Sequence, residues 1–146
     1  MENESESDRI QANDYHDIVQ VADPRVSPNG ERVAFVRKDP KDDEEYEATI
    51  YVVPTEGGET RRFTIEEGVD SEPRWSPSGD RLAFVSTRGA DDDRPQLWIV
   101  PTGGGEGRQV TNVAGGVSQI EWSPDGTRIA FVQRASEEDR EEDRDL

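Results

Sequence analysis

Serine, histidine and carboxylate are the side chains of hydrolytic chemistry, and this chain places serine in one recurring context. SPNGERVAFV begins at Ser27, SPSGDRLAFV at Ser76 and SPDGTRIAFV at Ser123. A nucleophilic serine needs a base within hydrogen-bond reach and, on an α/β-hydrolase sheet, a strand-to-helix G-x-S-x-G elbow. No G-x-S-x-G occurs, and each serine instead opens a turn that continues through Pro28, Pro77 or Pro124 to Gly30, Gly79 or Gly126. His16 is the only histidine, so any triad or His-rich metal site within the chain would have to use it. Its neighbours Asp14 and Asp17 would make a pH-sensitive pair with it. A histidine on the surface of a short helix is the favoured reading.

The acidic clusters at 41–47 (KDDEEYE), 91–93 (DDD) and 137–145 (EEDREEDRD) invite a calcium reading. None has the spaced ligands and central glycine of a calcium loop, so solvated loop charge is favoured. The run Gly103, Gly104, Gly105 lacks the Lys and the following helix of a phosphate-binding loop and reads as a turn between strands. Trp75, Trp98 and Trp122 would suit an aromatic binding surface. Their recurrence at repeat positions, with Val26 in place of Trp75 and Tyr51 in place of Trp98, favours packing between repeats. No catalytic, cofactor-binding or metal residue is therefore assigned, and no cofactor is expected.

The elements around these residues recur as well. The three serine turns start 49 and then 47 residues apart, and IYVVPTEGGETRRFT from Ile50 returns as LWIVPTGGGEGRQVT from Leu97. A fixed period in this range marks a repeat architecture. Ser-Pro-x-Gly is a type I turn closed by a left-handed glycine, which joins two antiparallel strands; around Ser76 these are expected near Glu72 to Trp75 and Arg81 to Ser86. RLAFVS is apolar on both faces, which fits a strand covered on both sides. QLWIVPT and GRQVT supply a third and a fourth strand. Four short strands per repeat describe a blade of a β-propeller, and tight hairpins fit a radial blade better than a solenoid coil.

The fold class expected is thus all-β, a partial β-propeller of about two and a half four-stranded antiparallel blades with a short N-terminal helix. The divisions are a disordered acidic N-terminus over 1–13, the helix over 14–22, blade 1 over 23–68 and blade 2 over 69–114. The first hairpin of blade 3 follows over 115–134, then an acidic tail over 135–146. The repeat spacing would place the next third-strand motif near 144–146, so the ring is expected to be incomplete, exposing a blade face and a strand edge.

Composition narrows the partners. Of 146 residues, 30% are hydrophobic and 35% charged, and Asp+Glu 34 against Lys+Arg 17 leave a net charge of −17. Lysine occurs only at Lys38 and Lys41. An acid-rich, lysine-poor surface predicts a halophilic source, with stability gained as salt screens the self-repulsion. Nucleic acid is disfavoured as a partner for want of a basic face. The absence of cysteine excludes disulfides and thiolate metal sites. An acidic start without an apolar core argues against a secretory signal, and four-residue apolar runs against a membrane span. A cytoplasmic location is the expectation.

The hairpin SPDGTRIAF and the strand LWIVPTGGG resemble the repeats of TolB-like propellers, from Ser27 to about Gln133. The segment DYHDIVQVADPRVSPNGERVAFVR, Asp14 to Arg37, resembles the start of the prolyl oligopeptidase family, in particular its acylaminoacyl-peptidase-like branch. That resemblance implies a parent serine peptidase whose propeller gates access of peptide substrates to an α/β-hydrolase domain. This chain would supply part of the propeller and no triad, so it is expected to be inactive alone, with the hydrolase domain and remaining blades as its partners. The alternative is a stand-alone propeller-type protein-binding module that completes its ring as a homo-oligomer.

Overall fold

The computed structural model describes residues 11, 14, 18–41, 45–65, 68–89, 92, 94–134 and 137–138. Among these residues ten strands follow one another: β1 (Gln20–Val26), β2 (Arg32–Pro40), β3 (Tyr46–Pro54), β4 (Arg61–Arg62), β5 (Asp70–Trp75), β6 (Arg81–Ser86), β7 (Gln96–Pro101), β8 (Arg108–Gln109), β9 (Ser118–Trp122) and β10 (Ile129–Val132). They form two four-stranded meanders, β1 to β4 and β5 to β8, and the hairpin β9–β10, antiparallel throughout. These are blade 1, blade 2 and the first hairpin of blade 3.

The turn chemistry explains why the strands pair as they do. Gly30, Gly79 and Gly126 have φ of 75°, 75° and 70°, the left-handed region that glycine enters without a Cβ penalty. Each amide donates to the carbonyl of the serine that opens the turn, at 2.8, 2.8 and 2.9 Å. The third-strand motif is tied to the same turn. Thr55 Oγ1 donates to the Gly30 carbonyl at 2.8 Å and Thr102 Oγ1 to that of Gly79 at 2.7 Å. The threonine of each VPT thus fastens strand three to the hairpin of strands one and two.

The sheets stack face to face with two apolar layers between them. Ala34, Ile50, Val52, Trp75, Leu82, Phe84 and Val100 fill the layer between blades 1 and 2, with Phe63 and Trp98 at its edge. Ala83, Val85, Leu97, Ile99, Val117 and Ile120 fill the next, with Val113, Trp122 and Ile129 alongside. Strand β6 explains the unbroken apolar run: Leu82 and Phe84 enter one layer, Ala83 and Val85 the other. Blade 2 is therefore buried on both faces. The first strand β5 lies between β1 and β9 and touches both, whereas no comparable contact joins β4 to β8, so the blades converge on their first strands and splay outward.

One boundary is corrected. Gln20, Val21 and Ala22, expected at the end of a helix over 14–22, are the first residues of β1 and pair with Lys38, Arg37 and Val36. The β-branched pattern at 18–21 favours a strand, and β2 offers a long partner that satisfies the backbone groups of this segment. Asp14 is 3₁₀-helical and accepts the Gln11 amide on its carboxylate at 2.6 Å; residues 15–17 of the expected helix lie outside the described residues. Blade 1 accordingly starts at Gln20 rather than at 23.

Candidate functional site

The recurring serines are occupied by the turns they open. Ser27, Ser76 and Ser123 Oγ accept the amides of Arg32, Arg81 and Arg128 at 3.0, 3.1 and 3.0 Å. Their hydroxyls donate to Asn29, Asp80 and Asp125 at 2.7, 2.8 and 2.6 Å. Among the described residues, the partners of these three hydroxyls are the groups of their own turns.

Asp125 shows what this network does to a carboxylate. Donors from Ser123, then from the Thr127 hydroxyl and amide, lower its pKa from 3.8 to about 2. Asp80 is lowered by Ser78 and then Ser76. A carboxyl lowered in the folded state contributes stability that is fully present above its unfolded pKa and is lost as pH falls through the folded one. In the first repeat Asn29 Oδ1 takes the same two bonds without a charge, from Ser27 Oγ and the Glu31 amide. Asp125→Asn is therefore expected to keep the turn, to give up the neutral-pH stability that the ionised carboxylate adds, and to flatten the loss between about pH 4 and pH 2. Unfolding by urea across that pH range checks it.

Several of the remaining sequence candidates fall outside the described residues. His16 and Asp17 lie outside the described residues, as do Asp42 to Glu44, Asp91, Asp93 and most of 137–145. Asp92 pairs with Arg94 at 3.0 Å, and Glu47 with Arg62 at 3.2 Å. Among the described residues no group of three acidic or imidazole side chains could hold a metal ion. Gly103 to Gly105 connect the antiparallel strands β7 and β8. No helix among the described residues is long and apolar enough to cross a membrane.

The tryptophans build the joints between blades. Trp75 Nε1 donates to the Arg25 carbonyl at 2.9 Å, and Trp122 Nε1 to the Arg74 carbonyl at 3.0 Å. Arg32 covers the Trp75 ring at 5.0 Å and Arg81 the Trp122 ring at 4.8 Å, a cation–π geometry. Both joints use the same positions, one repeat apart. Trp98 differs: it edges the first apolar layer with the Arg88 guanidinium 5.4 Å from its ring, and its Nε1 has no hydrogen-bond partner.

Among the described residues, a recurring polar set lies on the first strands. Asp23, Glu72 and Gln119 stand at matching repeat positions, and all three have positive φ, 50°, 52° and 53°. Bulges at Ala22/Arg25 and Ser71/Arg74 place Asp23 and Glu72 out of the ladder. A polar chain then crosses the blades. Arg25 Nε meets Asp23 Oδ1 at 3.0 Å, Arg74 Nη1 meets Asp23 Oδ2 at 2.8 Å, and the Gln119 amide donates to Glu72 Oε2 at 3.0 Å. A hollow of about 370 Å³ opens beside it, bordered by Arg25, Glu72, Arg74, Gln119 and Glu121. It presents guanidinium and carboxylate groups side by side, paired largely with one another across the blades. A second hollow of about 710 Å³ between blades 1 and 2 gathers Lys38 and Lys41 beside Glu45 and Tyr46.

Sequence reasoning missed these bulges and a buried cluster in blade 2. Arg88 Nη2 meets Asp70 Oδ2 at 2.6 Å, Ser86 Oγ donates to Asp70 Oδ1 at 2.5 Å, and Arg88 Nε donates to Ser86 Oγ at 2.9 Å. The signal was present in the repeat: Asp70 replaces the valines at 21 and 117, an acid at an otherwise apolar position.

Radial four-stranded blades, joined by a recurrent Trp–Arg contact and carrying a polar inner edge, define part of a β-propeller. The sequence profile of the TolB beta propeller domain matches residues 6–145, and the chain belongs to that family. Among solved structures it is similar to TolB from Acinetobacter baumannii, with 27% identity and a TM-score of 0.62, over 78% of this chain and 27% of that one. It is also similar to a protein from Agrobacterium tumefaciens assigned to TolB, with 26% identity and a TM-score of 0.62, over 80% of this chain and 40% of the other. The chain thus spans well under half the length of these structures. No curated protein matches it.

Proposed function

We propose that this chain is a substrate-gating propeller portion of an acylaminoacyl-peptidase-like serine peptidase, recognising peptides and catalysing nothing itself. The observation that carries the recognition role is the inner-edge ladder Asp23, Arg74, Glu72 and Gln119 beside its hollow. Donors and acceptors of this kind can pair with the N–H and C=O groups of an extended peptide. The link to a peptidase rests on the resemblance of Asp14 to Arg37 to the start of that family. Its setting is a salt-rich cytoplasm, as the lysine-poor, acidic surface suggests. A second reading, a TolB-like module that binds another protein, draws on the family membership and on the same ladder.

Two measurements test the proposal, and the second separates it from the binding module. The purified chain should turn over no acyl-aminoacyl chromogenic substrate, and turnover blocked by a serine-directed inhibitor would overturn its non-catalytic role. Sequencing the DNA that follows codon 146 is expected to find further Ser-Pro-x-Gly repeats and then G-x-S-x-G in the same frame. A frame with repeats but no such elbow would favour the binding module.

A further inference from the structure

The only two lysines of the chain border one hollow, apart from the inner-edge ladder. Lys38 sits on β2 with Gln20 of β1 and Ala48 of β3 as its ladder partners, so the three residues share one face of blade 1. Alternate residues along β2, Ala34 and Val36, carry the same face and are buried, Ala34 in the layer against blade 2. Lys38 thus stands where the joint between blades 1 and 2 turns from apolar to polar. Lys41 lies just beyond the end of β2, its amide donating to the Glu45 carbonyl at 2.7 Å. Blade 2 borders the same hollow with Gly68, Val69 and Thr87, and its volume of about 710 Å³ is that of a small-molecule site.

Stacking of the blades does not require these lysines. The residues aligned with Gln20, Lys38 and Ala48 in the next repeat are Val69, Thr87 and Pro95, which carry no charge, and the second joint packs without them. The lysines are also unpaired. Asp39, beside Lys38 in sequence, pairs with Arg37 at 2.9 Å, and Glu47 with Arg62 at 3.2 Å. Among the described residues neither ammonium has an ion-pair or hydrogen-bond partner, and Glu45 is the carboxylate on the border. Neutral donors lie beside the two charges. Thr87 Oγ1 accepts the Val69 amide at 3.0 Å, which leaves its own proton to give, and Gln20 offers a carboxamide. Ala48 and Val69 add apolar surface, Val69 being 45% exposed.

We infer that this hollow binds a small phosphorylated molecule, with its phosphoryl oxygens on Lys38 and Lys41 and its organic body along Ala48 and Val69. The residue type carries the choice of anion. A planar carboxylate is matched by the guanidinium fork, which this chain uses at Asp23, Asp39 and Asp70, whereas a compact ammonium is a point charge that suits a tetrahedral phosphoryl group. A ligand held by both blades also stabilises their joint, because it binds the folded chain and not the unfolded one. The site does not rest on the peptide-gating reading, since it shares no residue with the inner-edge ladder.

Phenyl phosphate, titrated into the full chain and followed by phosphorus NMR, is the probe. In about 1 M KCl the Debye length is about 3 Å, so direct contacts alone are read. Saturable binding at one site is expected, weakened about tenfold by Lys38→Gln and by Lys41→Gln, the worth of one charge-assisted hydrogen bond. Glu45→Gln, which removes the opposing carboxylate, should tighten it. Arg128→Gln, a change to an exposed arginine on blade 3, should leave it unaltered, and phenylmalonate, a dicarboxylate on the same ring, should bind about tenfold more weakly. No saturation by about 10 mM, indifference to both lysine variants, an equal loss with Arg128→Gln, or equal affinity for phenylmalonate would each overturn the inference. Lys41 is exposed and its ammonium is unpaired among the described residues, so Lys41→Gln should fold, and near-ultraviolet circular dichroism verifies this for every variant.

Discussion

Arg88→Met should destabilise the chain by about 3–5 kcal/mol, the usual cost of removing one partner from a buried ion pair. The Arg88 and Asp70 side chains are 6% and 1% exposed, so little solvent reaches the carboxylate left behind. Ser86 Oγ still donates to it, but one hydroxyl does not replace a guanidinium. The variant also removes the charge over the Phe84 and Trp98 rings, 5.0 and 5.4 Å from their centroids. Asp70→Val on the Arg88→Met background should recover most of the loss, because valine is what the other two repeats carry there. Urea unfolding at fixed KCl checks both. A single variant within about 1 kcal/mol of the parent, the range of an exposed pair, would show that water reaches the cluster.

How much of this was legible in the sequence follows from which interactions repeat. The serine turns, the four-strand meander and the two-sided burial of β6 recur with the period, so their residues announce themselves at Ser27, Ser76 and Ser123. Tryptophan as packing between blades was legible for the same reason, although its arginine partner was not: Arg32, Arg81 and Arg128 recur, but a periodic arginine on a charged chain reads as surface. The left-handed bulges at Asp23, Glu72 and Gln119 were hidden because three different side chains share one backbone conformation. Only their coordinates reveal it. The Asp70 cluster occurs once, so no period points to it, and it is visible in sequence only as a break in the pattern. The helix expected over 14–22 failed at its end because β2 extends to Pro40 and draws Gln20 to Ala22 into the sheet.

Phe35, Phe84 and Phe131 hold the same repeat position in different surroundings, and truncating each to alanine should rank the blades by burial. Phe84 is 1% exposed within the layer between blades 1 and 2, so Phe84→Ala should cost about 3–5 kcal/mol, transfer plus cavity. Phe35 is half-buried and stacked on Tyr51, with centroids 6.1 Å apart; Phe35→Ala should cost about 1–2 kcal/mol. Phe131 is 37% exposed on the two-stranded blade, and Phe131→Ala should cost less than about 1 kcal/mol. Equal losses would contradict a stack in which only the central blade is covered on both sides. Phe84→Ala and Arg88→Met should moreover fall short of additivity by about 0.5 kcal/mol or more, since each removes half of one ring–guanidinium contact. Phe131→Ala, with no such partner among the described residues, should add to Arg88→Met without coupling. The central blade is then both the best-packed part of the molecule and the one whose stability depends on a buried charge.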